Sequence, residues 1–256
     1  MLGIYFSGTG NTKYCVKKFL QYYDESQEVH FCSIEDNDCI NKIREDNDIV
    51  FAYPVYYSDM PVIVKDFLNN NKDIFRGKNV FIICTMGLFS GDGTGCSART
   101  LKKYGANIVG GLHLKMPDCI GDVKLLKRTA EENKIIIKNA EAKIKKTVLD
   151  IKKGKYPKEG LGFFYHTAGL FGQRLWFYNK TLKLQDKLKI DDDKCISCGI
   201  CSDNCPVNNI KMTDNKPVPQ GSCICCYRCI SNCPKQAVTL IGSEVYEQSR
   251  IENYID

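Results

Sequence analysis

"LGIYFSGTGNTKYCVKKFL", residues 2 to 20, passes from an apolar, aromatic run of strand type, through a loop of small polar residues, into a helix-periodic segment. In that segment Tyr14, Val16, Phe19 and Leu20 are the apolar positions. The loop itself, Ser7-Gly8-Thr9-Gly10-Asn11-Thr12, has the composition of an anion site at a helix N-terminus. Glycines let backbone N–H groups converge, hydroxyls add donors, and the helix dipole favours negative charge. The loop has neither the Gly-Lys-Ser/Thr ending of the P-loop nor the G-x-G-x-x-G of the dinucleotide fingerprint, so a phosphate on a mononucleotide fits it better. The bland alternative is a Gly-rich strand-to-helix turn in which Ser and Thr serve only as caps.

Two later segments repeat the pattern. "DIVFAYPVYYSDMPVIVKDFL" reads as a buried strand from Ile49 to Tyr53, a loop bearing Tyr56 and Tyr57, and a helix with Pro61 in its first turn. "NVFIICTMGLFSGDGTGCSARTLKKYG" reads as a strand from Val80 to Thr85, a Gly-rich loop and a helix. With strands expected in "EVHFCSI" and "NIVGGLHL" and a long helix from about Leu125 to Ile151, the alternation predicts an α/β fold, a doubly wound five-stranded parallel sheet. Ile137, Ala140, Ile144, Val148 and Ile151 form one apolar stripe of the long helix. In such a sheet the C-terminal strand ends border one crevice, where ligands bind.

The other end of the chain is a cysteine repeat. Cys195, Cys198, Cys201 and Cys205 are followed by Pro206, and a shift of 28 residues maps them onto Cys223, Cys226, Cys229, Cys233 and Pro234. The spacing C-x2-C-x2-C-x3-C-P resembles that of bacterial ferredoxins, and its duplication implies a pseudo-symmetric domain. Three thiolates on a short looping segment can each reach a different iron of a cubane, while the fourth comes from further along. The resemblance implies that the fourth cysteine crosses over. Cys195, Cys198, Cys201 and Cys233 would then hold one [4Fe-4S] cluster, and Cys223, Cys226, Cys229 and Cys205 the other. Structural zinc also uses paired C-x2-C but needs only four ligands, which two runs of four exceed. Cys225 is a surplus thiol, read as a small buried residue.

"FSGTGNT", "YPVYYSDMP" and "TMGLFSGDG", in this order, resemble the phosphate loop and the two flavin-flanking loops of the flavodoxin fold. With the cysteine repeat behind them, the chain resembles flavodoxin-ferredoxin fusion proteins. That resemblance covers roughly residues 1 to 150 and 190 to 240. It implies FMN, its phosphate on Ser7, Thr9, Gly10, Asn11 and Thr12, and its ring between Pro54, Val55, Tyr56 and Tyr57 on one side and Thr85, Met86, Gly87, Phe89 and Gly91 on the other. Many flavodoxins place in the second loop a glycine whose peptide flips to bond the half-reduced ring. Tyr56 to Asp59 contains none, and "P-V-Y-x-x-x-M-P" also resembles the flavin reductases of this fold.

The expected organisation is a flavodoxin-like domain over 1–153, an aromatic-rich connecting segment over 154–189, a small α+β two-cluster ferredoxin domain over 190–242, and a tail over 243–256. Within the connector, Phe163, Phe164, Phe171, Trp176 and Phe177 need covering, by interdomain packing or, as a sharper alternative, by a partner or membrane surface. His30, His113 and His166 fit no catalytic pattern, and Cys84 and Cys119 fall near strand ends as inert thiols.

Composition bounds the rest. With 256 residues and 43% apolar content the chain can bury two cores. Fifteen cysteines in a chain of this length, opening without a secretory leader, point to the cytosol rather than to a disulfide scaffold. No apolar run approaches the roughly 18 residues of a spanning helix. The charge of +6 is spread on a solvated helix face and does not call for nucleic acid. Two clusters and a flavin phosphate, each about −2, would bring it to about neutral. The expected role is a soluble electron carrier between clusters, FMN and redox proteins such as ferredoxin- or flavodoxin-dependent oxidoreductases. An FMN-dependent reductase fed by its own clusters is the rival, a cluster-bearing sensor is a third class, and a homodimer is left open. Replacing Cys198 by Ala is expected to remove about half of the cluster iron and one cluster's paramagnetic signal while FMN binding persists; retention of both signals would refute the ligand assignment.

Overall fold

Near-continuous apolar runs in Leu2–Tyr5 (β1), Asp48–Pro54 (β3) and Asn79–Met86 (β4) have the pattern of strands covered on both faces. With Phe31–Ser33 (β2) and Asn107–Lys115 (β5) they form a parallel sheet in the order β2-β1-β3-β4-β5. The structure is a computed structural model that describes residues 1–24, 28–57, 59–162 and 180–255. The crossovers are helices Asn11–Tyr23 (α1), Cys39–Glu45 (α2), Val62–Asn70 (α3) and Gly93–Lys103 (α4), followed by Ala130–Lys152 (α5). This is the flavodoxin-like doubly wound topology, whose strand order reverses between β1 and β3.

The described residues divide into two compact units that are not contiguous along the chain. Among the described residues, one comprises 1–7, 11–116 and 135–162; the other comprises 8–10, 117–134 and 180–255. Residues 117–134, read from the sequence as part of the first domain, therefore cluster with the cysteine-rich part.

In the first unit the sheet core is built from Ile4, Phe51, Tyr53, Phe81 and Ile83, all fully buried. The expected stripe of α5, from Ile137 to Ile151, is buried as well. The start of that helix is a correction: residues 124–126 form a separate 3-10 turn and α5 begins at Ala130. The reason is a capping box. Glu132 N–H donates to Thr129 Oγ1 at 3.2 Å while Thr129 N–H donates to Glu132 Oε2 at 2.8 Å, satisfying two groups that would otherwise be orphaned. Residues 157–159 run beside β5, with Gly111 N–H bonding Pro157 O and Glu159 N–H bonding Gly111 O. A Cβ at Gly110 would stand 2.7 Å from Pro157 O and one at Gly111 2.7 Å from Glu159 O, which is why this approach needs "GG". The aromatic residues singled out from Phe163 to Phe177, and His166, lie outside the described residues. Among the described residues no helix is long and apolar enough to cross a membrane.

The second unit holds two small antiparallel pairs, Lys189–Ile190 with Val238–Thr239 and Ile210–Thr213 with Lys216–Pro219. Its core is Leu188, Ile210, Tyr227, Ile230, Val238 and Leu240. Asp122, 1% exposed, ties this unit together: its Oδ2 accepts the N–H groups of Leu240, Ile241 and Gly242 at 2.6, 2.8 and 3.1 Å, and its Oδ1 accepts the Tyr227 hydroxyl at 3.0 Å. Replacing Asp122 by Ala leaves the buried Leu240 N–H and Tyr227 hydroxyl without their acceptor, along with the more exposed N–H groups of Ile241 and Gly242, so a loss of about 2 kcal/mol or more is expected. The check is a chemical unfolding curve against the parent chain; a loss under about 0.5 kcal/mol, the range of an ordinary surface change, would contradict this role.

Candidate functional site

The three loops singled out from the sequence leave the C-terminal ends of β1, β3 and β4, which are neighbours in the sheet. The first loop turns at Gly10, with φ +90, directly into α1 at Asn11. Thr9, Asn11 and Thr12 are buried, and the Thr12 and Thr85 hydroxyls meet at 2.8 Å, joining the first turn of α1 to the end of β4. Pro54 and Val55 continue β3, and Val55 N–H bonds Thr85 O. Tyr56 and Asp59 exchange two backbone hydrogen bonds of 3.0 Å, closing a turn that holds Tyr57 at φ +50.

In the third loop Met86 and Gly87 are half-buried, Gly91 is buried at φ +54, and Leu88 and Phe89 are 64% and 51% exposed. A residue missed by the sequence reading fixes this loop. His113 on β5 meets Ser90 Oγ through Nδ1 at 2.8 Å, while Thr94 N–H at the start of α4 points to its Nε2 at 3.4 Å. Thr94 Oγ1 also stands 3.2 Å from Nε2, so both ring nitrogens have hydrogen-bond partners. Burial pulls the His113 imidazole down to about 4, so the ring is neutral at pH 7. No sequence motif marks His113; only the pairing of β5 beside β4 does.

Gly8 to Gly10 cluster with the second unit because the tail lies on them. Ile251 N–H donates to Thr9 O at 3.0 Å, and a Cβ at Gly10 would stand 2.4 Å from Ile251 Cγ2. Three residues earlier, Gln248 Nε2 donates to Cys233 O at 2.7 Å. Glu247 accepts from Asn133 Nδ2 at 2.9 Å and from the Tyr254 hydroxyl. The tail is thus a packed part of this unit.

The cysteines surround two apolar recesses. Cys195, Cys198, Cys201 and Cys233 line one, with Ile190, Ile196 and Val238 among its walls. Cys205, Cys223, Cys226 and Cys229 line another, walled by Leu188, Ile210 and Ile230. Each recess thus combines three thiols of one run with the fourth of the other.

The 28-residue repeat recurs in the backbone. Ser197 N–H points at Cys195 Sγ and Asn209 N–H at Cys205 Sγ; their counterparts are Cys225 N–H on Cys223 Sγ and Ala237 N–H on Cys233 Sγ, all at 3.1 to 3.4 Å. Ser197, Gly199 and Asn208 take positive φ, and so do Cys225, Tyr227 and Gln236 at the shifted positions. Cys225 is therefore the counterpart of Ser197, a left-handed residue whose amide serves a neighbouring sulfur. Burial pushes the Cys226 thiol up to about 12 and Cys229 well above its ordinary range, so a thiolate here needs a cationic partner.

Residues 2–111 match the Flavodoxin domain family and residues 188–211 the 4Fe-4S binding domain family. The chain joins a flavodoxin domain to a 4Fe-4S domain. The 4Fe-4S match covers the first cysteine run. Among solved structures, the two-electron reduced Megasphaera elsdenii flavodoxin is 22% identical, with 46% of this chain and 89% of that one covered at a TM-score of 0.41. Oxidised Flavodoxin 2 from Bacillus cereus is 18% identical, with 60% and 97% covered at 0.44. The Fusobacterium nucleatum flavodoxin bound to flavin mononucleotide is 16% identical, with 60% and 98% covered at 0.43. No curated protein matches the chain.

The flavodoxin domain implies FMN and the 4Fe-4S domain a [4Fe-4S] cluster, and together they support an electron-transfer role. The donors present fit both groups: a glycine-turned helix start rich in hydroxyls for a phosphate, and thiols around an apolar recess for iron.

Because an unfolded histidine takes its proton near pH 6.5 and folded His113 only near 4, the folded chain loses stability as pH falls from about 6.5 towards 4. Replacing His113 by Gln is expected to flatten that slope in thermal unfolding followed by circular dichroism; parallel slopes for parent and variant would refute it.

Proposed function

We propose that this chain is an electron carrier holding FMN and two [4Fe-4S] clusters, with Cys195, Cys198, Cys201 and Cys233 on one cluster and Cys223, Cys226, Cys229 and Cys205 on the other. The observation that supports it best is the lining of the two recesses, each drawing its fourth thiol from the other run. Bound FMN exchanges electrons singly or in pairs, and each cluster exchanges one at a time.

The chain's own residues bind, orient and tune. Ser7, Thr9, Gly10, Asn11 and Thr12 receive the phosphate at the start of α1. Pro54, Val55, Tyr56 and Tyr57 flank one side of the ring, and Thr85, Met86, Gly87, Phe89 and Gly91 the other. The four N–H groups aimed at cysteine sulfurs stabilise negative charge there, one of the levers that set a cluster's potential. Cys198 is exposed whereas Cys223 and Cys226 are buried, so the first cluster is the port for electrons. Exposed Leu88 and Phe89 give the flavodoxin domain an apolar edge suited to docking a redox protein, such as a ferredoxin- or flavodoxin-dependent oxidoreductase.

One observation favours a second reading, an FMN-dependent reductase. The Tyr56–Asp59 turn is closed by its own hydrogen bonds and offers no glycine at Tyr57 to flip. An anaerobic redox titration followed by absorption and electron paramagnetic resonance separates the two. Two cluster signals with the flavin reduced in separate one-electron steps is the expected result. A single two-electron flavin step would favour the reductase, and one cluster signal alone would overturn the two-cluster assignment.

A further inference from the structure

Outside the residues assigned to cofactors, the first unit contains a second sulfur arrangement. Cys32 lies on β2, the edge strand, and Cys39 opens α2. Their sulfurs stand 3.2 Å apart, one thiol hydrogen-bonded to the other. The intervening turn fixes this approach: Ser33 N–H donates to Asp36 Oδ2 at 2.8 Å, Asp36 N–H to Ser33 O at 3.0 Å, and Cys39 N–H to Asp36 O at 3.0 Å. Both thiols are buried, at 2% and 0% exposure, beneath residues 35–38, which are all exposed.

We propose that Cys32 and Cys39 are a reversible oxidation site that a peroxide converts to a disulfide. A disulfide requires sulfurs at about 2 Å, so only about 1 Å of closure is needed, and the seven-residue separation keeps the strain within one turn. One thiolate attacks the peroxide O–O bond, giving a sulfenic acid and releasing water. The second thiol then displaces the hydroxyl as a second water and forms the S–S bond. Two thiols and one hydrogen peroxide yield one disulfide and two waters: the sulfurs lose two electrons and the peroxide gains them. Within the pair Cys32 is the more readily ionised thiol: the Cys39 hydrogen bond and Lys42 lower it, against burial, Asp36 and Asp38, which raise it. A peroxide is small enough to enter when the exposed turn opens locally. The site is distinct from the eight cysteines assigned to clusters, so it stands whether or not both clusters do.

The sequence makes the test clean. Cleavage after Lys18 and Lys42 releases residues 19–42, which contain Cys32 and Cys39 and no other cysteine. The intact cofactor-loaded protein, kept anaerobic, is exposed to hydrogen peroxide, then unfolded in denaturant and alkylated with iodoacetamide, digested with trypsin and weighed by mass spectrometry. The expected result is a 19–42 peptide about 2 Da lighter than the reduced form, unalkylated, and restored to double alkylation by a dithiol reductant. Cys15, a solitary buried thiol on the separate peptide 14–17, is the internal comparison and remains alkylatable. In Cys39→Ser the same peptide should gain oxygen instead of losing hydrogen. Full alkylation of 19–42 after peroxide treatment, or oxygen added to its sulfurs in the parent protein, would overturn the proposal.

Discussion

The C-x2-C-x2-C segment of each run supplies three of the four thiols that line its recess. The fourth side of each recess is lined by the cysteine that precedes the proline of the other run, Cys233 for the first and Cys205 for the second. Neither half of the repeat is complete alone. The two short helices, the left-handed residues before them and the N–H groups aimed at sulfur follow the same 28-residue shift because both halves solve the same steric problem.

So small a unit has little apolar core of its own, and it is buttressed by chain from elsewhere. Asp122 gathers three consecutive amides and the Tyr227 hydroxyl, and Gln248 holds the carbonyls of Ile230 and Cys233. A buried carboxylate is costly unless fully hydrogen-bonded, and here four donors offset the cost. This explains why residues 117–134 and the tail cluster with the cysteine-rich part although a linear reading sets them apart.

The flavodoxin domain follows another logic. Its parallel strands place three loops side by side, and their residues are held from behind: Thr12 by Thr85, the Tyr56 turn by its own backbone pair, and Ser90 by a neutral His113. The Thr12–Thr85 and Ser90–His113 contacts join segments far apart in sequence, so the shape of the first and third loops depends on the packed sheet.

The sequence alone was enough for the parallel sheet and its order of elements, because buried strands and amphipathic helices carry their period in local composition. It was also enough for the two cysteine runs and their repeat, because ligand spacing is written directly in the chain. The capping box at Thr129 and Glu132 stands in the sequence as T-x-x-E, but the sequence reading passed over it and started the helix near Leu125 rather than at Ala130. Tertiary structure alone decided the rest. His113 meets Ser90, Asp122 meets Leu240 and Ile251 meets Thr9 only once the chain has packed. No local pattern announces such pairs, since their geometry is set by how strands and turns are brought together and not by neighbours along the chain.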